Sequence, residues 1–264
     1  MSTPTLSDPA STQGHTDATT SRYVYQPIGT NIRVLVVKPG LPGSPLAGSL
    51  HQVHCGYFPF AKYDALSYTW GCSDRDKVFY TPEGILPITT SLSNALSRVR
   101  FPTHDIVIWA DGICINQDDP KEKEYQVKYM GEIYRWAETV LLYLGEAEDE
   151  SDLAFELLHN FVLGYGAASE PSAGPSAEMQ ARAAVASLCS KDWEPVMALF
   201  RRPWFRRAWV VQEFLLAKNP VFICGDWMGH RPVDPNSARC QRVPKGRRTT
   251  TGPSHRALPK LETR

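Results

Sequence analysis

The chain has no net charge to offer a partner: 28 Lys and Arg balance 28 Asp and Glu over 264 residues. No global field therefore recruits nucleic acid or an anionic membrane, and neither is expected as a partner. No apolar run approaches the ~20 residues that cross a bilayer. The opening MSTPTLSDPASTQGHTDATTS has no apolar signal core, which argues against secretion. Cysteine is sparse and scattered, at Cys55, Cys72, Cys114, Cys189, Cys224 and Cys240, with no CxxC pair. That spacing gives neither a zinc knuckle nor a small disulfide framework, so no metal is expected. Reduced thiols in an intracellular compartment are the default, and a cytoplasmic location is expected. No internal repeat is present.

What is present is an ordinary globular composition, 42% hydrophobic and 21% charged, long enough for a substantial core. The two ends differ from the middle. Residues 1–21 are Ser, Thr, Pro and Ala with almost no large apolar group. They cannot offset ordering entropy and are expected to be disordered. After Gly229 the chain turns basic and aperiodic, with nine Lys and Arg from Arg231 to Arg264 against only Asp234 and Glu262. A disordered basic tail over 232–264 is expected.

Between the ends the pattern predicts one α/β domain over 30–229. NIRVLVV (31–37) is a β-branched strand, and PGLPGSPLAG (39–48) reads as a loop. YDALSYTW (63–70) is a second strand. VFY and ILPI flank the turn Thr81-Pro82-Glu83-Gly84. Thr90 or Ser91 can cap a helix that places Leu92, Ala95, Leu96 and Val99 on one face. DIVIWA (105–110) reads as a strand buried on both faces. Asp119, Pro120 and Glu122 form a helix start, followed by Val127, Met130, Ile133, Tyr134 and Ala137 at helical spacing. TVLLYLG (139–145) is the next strand, so 105–145 is a βαβ unit and the central sheet is expected to be mostly parallel and flanked by helices. Helical insertions follow at 151–162 and 177–189, separated by a small-residue linker at 164–177. A helix is expected from about Trp204 to Ala217, then a short strand VFICG (221–225).

Three phrases carry the chemistry. In YDALSYTWG (63–71), Ser67 and Trp70 stand either at the rim of a ligand cleft or in a core strand whose Tyr68 and Trp70 fill an apolar layer. In VIWADGICINQDD (107–119), Asp111 ends a strand where open α/β sheets collect ligands. Asp111, Asn116 and Gln117 can bond a ribose or an amide, or they can serve turns and helix entries. Cys114 sits between Ile113 and Ile115, which disfavours a reactive thiolate. In RRPWFRRAWVVQEFLLA (201–217), Trp209 and Glu213 are one helical turn apart, with Arg206 three residues before Trp209. The indole can desolvate the acid or stack a flat ring. Alternatively, Glu213 is an ion-pair partner that holds its helix to the sheet.

These three blocks, in this order, resemble the fungal heterokaryon incompatibility (HET) domain, over roughly residues 60–230. The resemblance implies a part in non-self recognition that triggers growth arrest or programmed cell death. It also implies partner proteins of the incompatibility response and self-association. HET domains in turn look like distant relatives of TIR domains, which implies a TIR/flavodoxin-like sheet. In enzymatic TIR domains a Glu supports cleavage of the nicotinamide–ribose bond of NAD, and Glu213 is the nearest match. On that alternative the chain is a NAD glycohydrolase, with NAD as substrate rather than cofactor. Glu213 would be catalytic, and Ser67, Trp70, Asp111 and Trp209 would bind substrate. The match departs where Trp204-Phe205 replaces the TIR Trp-Cys pair. A HET protein usually continues well past the third block. The abrupt basic end is therefore expected of a truncated product or an incorrectly joined exon.

Overall fold

The structure is a computed structural model that describes residues 21–54, 62–169, 193–230 and 241–242. The expectations for 1–21 and 232–264 fall outside these residues, apart from Ser21 and the pair Gln241–Arg242. The helix expected at 177–189 falls outside them entirely.

The apolar runs form strands where expected. They are β1 (Ile32–Val37), β3 (Asp64–Tyr68), the hairpin β4 (Lys77–Thr81) and β5 (Gly84–Ile88), β6 (Ile106–Trp109), β7 (Val140–Tyr143) and β8 (Pro220–Cys224). Three further strands are β2 (Leu46–Val53), β9 (Trp227–His230) and the two-residue β10 (Gln241–Arg242). Together they make one ten-stranded sheet in the order β10-β9-β8-β7-β3-β6-β1-β2-β4-β5.

The sheet is mixed, which corrects the expectation of a mostly parallel one. Pairs β3/β6, β3/β7, β7/β8 and β2/β4 are parallel. Pairs β1/β2, β1/β6, β4/β5, β8/β9 and β9/β10 are antiparallel. The parallel run β6-β3-β7-β8 is the part built by helical crossovers. Hairpins supply the antiparallel pairs β1/β2, β4/β5 and β8/β9, and β1 meets the parallel run antiparallel to β6 through a long connection.

Helix α1 (Thr90–Val99) is capped by Thr89, whose Oγ1 accepts from the Leu92 amide, and buries the four expected residues. A single turn, α2 (Asp111–Cys114), follows β6 directly. Helix α3 (Pro120–Trp136) starts at Asp119, which accepts from the amides of Lys121 and Glu122. Helix α4 (Ser151–Ser169) runs on through Gly164 and Gly166, where a linker was expected. Helix α5 is Glu194–Phe200.

The third signature corrects the reading as well. It is a 3-10 turn (Pro203–Arg206), an extended Arg207, and a short helix α6 (Val210–Leu215) for which Trp209 is the N-cap. It is not one continuous helix.

Candidate functional site

Strand β3 lies at the centre of the parallel run, and Leu66, Ser67 and Tyr68 are all buried. A hydroxyl at such a position needs partners inside the protein. Ser67 finds two. It donates to Glu213 Oε2 and accepts from the indole Nε1 of Trp204 at 2.7 Å. Glu213 has no exposed surface. Its charge is met by Arg207, whose Nη1 and Nη2 donate to Oε2 and Oε1 at 3.0 and 2.8 Å. This bidentate pairing is the strongest geometry available to a carboxylate and a guanidinium. The break at Arg207 makes it possible, because the chain turns between the 3-10 turn and α6 and lays Arg207 beside an acid six positions later. Trp204 is itself buried and packs edge-on to Phe205 and Phe222.

A second carboxylate stands next to this cluster. Asp111 begins α2 immediately beyond β6, and its Oδ2 accepts from Trp70 Nε1 at 2.9 Å. Its Oδ1 is buried with no partner among the described residues. Burial raises the Asp111 pKa to about 6. The Trp70 bond opposes the rise, and the negative charge of Glu213 adds to it. The Tyr68 phenol lies against the same carboxylate. Its hydroxyl so nearly touches Gly112 that a Cβ there would stand 2.3 Å from it, so only glycine fits at the second position of α2. Burial, then Asp111, hold Tyr68 well above the usual phenol range. Gln117 closes the far side by donating to the Asp111 carbonyl at 2.7 Å.

The sequence-predicted residues thus divide. Glu213 and Ser67 meet directly, and Asp111 and Trp70 form a neighbouring pair coupled to them through charge. Trp209 does not join. It is 44% exposed, at the N-cap of α6. Asn116 serves its own turn, its Oδ1 accepting from the Asp118 amide. Cys114 is buried, and burial pushes its thiol up to about 12, in keeping with an unreactive sulfur. Arg207 and Trp204 were missed as members. Helical spacing pointed to Arg206, and only the break in the helix brings Arg207 to the acid.

Comparison with known proteins bears on exactly these blocks only in extent: the profile described as Heterokaryon incompatibility protein (HET) matches residues 63–213, from the start of β3 to Glu213 itself. The chain belongs to the heterokaryon incompatibility family. It is also similar to Heterokaryon incompatibility protein 6, OR allele, of Neurospora crassa, with 29% identity over 198 residues. That match covers 63% of this chain and 29% of the relative, so the chain spans less than a third of the relative's length. No solved structure matches the chain. The family match ends within α6, so the HET domain includes both carboxylates and their partners.

Proposed function

We propose that this HET domain acts in heterokaryon incompatibility as a signalling and interaction domain, and that its engagement triggers growth arrest or programmed cell death. The observation that carries this reading is the sealing of Glu213. A group with no exposed surface, bonded on both oxygens, is spent on structure. The similarity to a relative named for incompatibility supports the same role. On this reading the partners are other proteins of the incompatibility response, or a second copy of the chain, in the cytoplasm. Among the described residues no helix is long and apolar enough to cross a membrane.

A second reading, a TIR-like NAD glycohydrolase, is favoured by one observation: the buried, unpartnered Oδ1 of Asp111 beside Glu213. The parallel run β6-β3-β7-β8 supports a TIR/flavodoxin-like relationship. Asp111 would orient the ribose and Glu213 would stabilise positive charge on it as the nicotinamide bond breaks. Catalysis would require Arg207 to release Glu213 first.

Two measurements on the full chain test these readings. One is growth of a fungal host expressing it, and the other is free nicotinamide after incubation of concentrated protein with NAD. Growth arrest without nicotinamide release is the expected result. Nicotinamide release that disappears in Asp111→Asn would transfer the function to the second reading. Unimpaired growth with folded protein present would overturn the first.

A further inference from the structure

The order of strands marks a place that neither carboxylate occupies. From β3 the chain leaves toward β6 on one side, and from β7 it leaves toward β8 on the other. Between the C-terminal ends of β3 and β7 the two connections diverge, and a crevice must open there. In open α/β sheets this switch point is where ligands bind.

The structure holds a cleft of about 620 Å³ at that position, within the ~300–1,000 Å³ of small-molecule sites. Its floor is Thr69, one residue past β3, and Tyr143 to Gly145 at the end of β7. One wall is the first turn of α1, and the other is Ala198 of α5 with Pro203. The floor is braced. Ser91 donates to the Thr69 carbonyl, and Arg202 donates to the carbonyls of Leu144, Glu146 and Glu148 at 3.1, 2.8 and 3.1 Å. Glu213 does not line the cleft.

The charges around it restrict the occupant. Glu148 and Asp149 line the cleft and have no ion-pair partner among the described residues. The nearby cations are engaged: Arg201 with Glu194 at 2.7 Å, Arg98 with Asp226 at 2.7 Å, and Arg202 with the carbonyls it braces. The positive end of α1 already faces an acid, since Thr90 donates to both oxygens of Asp76 at 2.8 Å. A polyphosphate would meet repulsion and, among the described residues, no cation without a partner. Hydroxyl groups suit free carboxylates, and the exposed Asn94 amide adds a donor and an acceptor with no side-chain partner among the described residues. Leu144, Pro203 and Ala198 supply an apolar surface for a flat ring.

We propose that this cleft binds a nucleoside, neutral or cationic, rather than a nucleoside polyphosphate. The proposal is independent of either reading of Glu213, since it uses none of that cluster.

Cys72 provides the readout. It lines the cleft and is exposed, whereas Cys114 and Cys224 are buried. Alkylation of Cys72, followed by peptide mapping on the full chain, reports occupancy. Adenosine should slow alkylation, 1-methyladenosine (cationic near neutral pH) should act at about three- to tenfold lower concentration, and ATP should be at least about tenfold weaker than adenosine. Ala198→Trp, which fills the cleft, should abolish protection. Asn94→Leu should weaken it and serves as the second variant if Ala198→Trp does not fold. No protection of the wild-type chain by millimolar nucleoside would overturn the proposal. So would protection that persists in folded Ala198→Trp, or that is undiminished in Asn94→Leu when Ala198→Trp does not fold. Equal protection by ATP would overturn the ligand class.

Discussion

Glu213 and Arg207 are six residues apart and bonded through both ends of the carboxylate, while Ser67 donates to Glu213 Oε2 and itself accepts from Trp204. Removing one partner of a buried pair leaves the other charged and unsatisfied, typically at a cost of about 3–5 kcal/mol. Arg207 is 19% exposed, so water relieves part of that cost on its side. Glu213→Gln is therefore expected to lower unfolding stability by about 3 kcal/mol and Arg207→Ala by less. The double variant should fall short of the sum by about 1–3 kcal/mol in urea denaturation. Strict additivity would mean that the two side chains do not act as a unit. Asp111 makes a different prediction. Its pKa in the folded chain is about 6, above the ~3.9 of an unfolded chain. Between those values the native state keeps a proton that the unfolded state has lost. Stability contributed at this site thus declines as pH rises through that window, and the full cost applies above it. Asp111→Asn should stabilise the protein by about 1–3 kcal/mol near pH 8, and the gain should vanish near pH 4. A gain independent of pH would rule out this titration.

At the scale of elements, the connection between β1 and α3 rests on a second buried pair. Arg33, 2% exposed, donates to Glu122 Oε2 at 3.0 Å, to the Cys114 carbonyl at 3.2 Å and to the Gln26 carbonyl. Glu122 Oε1 also accepts from the Asn116 amide at 2.7 Å. The spacing Asp119-x-x-Glu122 reads as a capping box, and Asp119 does cap, but Glu122 turns away to meet Arg33. A local signal cannot reveal a partner 89 positions distant. Glu122→Gln is expected to cost about 2–4 kcal/mol, because a neutral amide leaves Arg33 buried with its charge unmet. Glu124→Gln, whose partner Lys128 is exposed, should leave stability nearly unchanged. Thermal unfolding of the two variants checks the contrast, and equal losses would show that burial does not set the cost. The same contrast explains which elements were legible. Strands β6, β7 and β8 are continuous apolar runs, β1 is one but for Arg33, and α1 and α3 carry both a periodic face and a cap. Strand β2 was hidden because LAGSLHQV alternates poorly and is led by Pro and Gly. Gly48 is required there, since a Cβ would stand 1.9 Å from the Val36 carbonyl oxygen of the paired strand. The third signature reads as one helix because its apolar residues have helical spacing. Trp204 interrupts it by reaching Ser67, a contact no window of sequence contains.

Over the whole molecule, the sheet joins two kinds of construction. The run β6-β3-β7-β8 is parallel and covered: β7 is buried at every position, and β3 at all but its first. The strands β1, β2, β4 and β5 extend it on one side. Strand β1 is still buried at all but Val36, and beyond it burial alternates, as in β5, where Gly84, Leu86 and Ile88 are buried and the residues between them less so. Alternation means that one face retains water access, and beyond the outermost strand β5 there is only a single bridge, Arg22 to Ile85. Both conditions let amides open without unfolding the rest. The α/β class and the central strands were therefore readable from apolar runs, while the antiparallel extension was not, because pairing direction depends on where connections return. The division predicts a gradient of amide hydrogen exchange. The amides of Leu66, Ser67, Leu141 and Leu142 should be slowest and should exchange only with global unfolding. Those of β4 and β5 should exchange at least about tenfold faster through local opening. Glu213→Gln should then accelerate the slow group, since Ser67 loses its charged partner, and should leave the β4 and β5 amides nearly unchanged. If β4 and β5 prove as slow as β3, the sheet opens as one cooperative unit and the buried carboxylates stabilise all of it rather than its parallel centre.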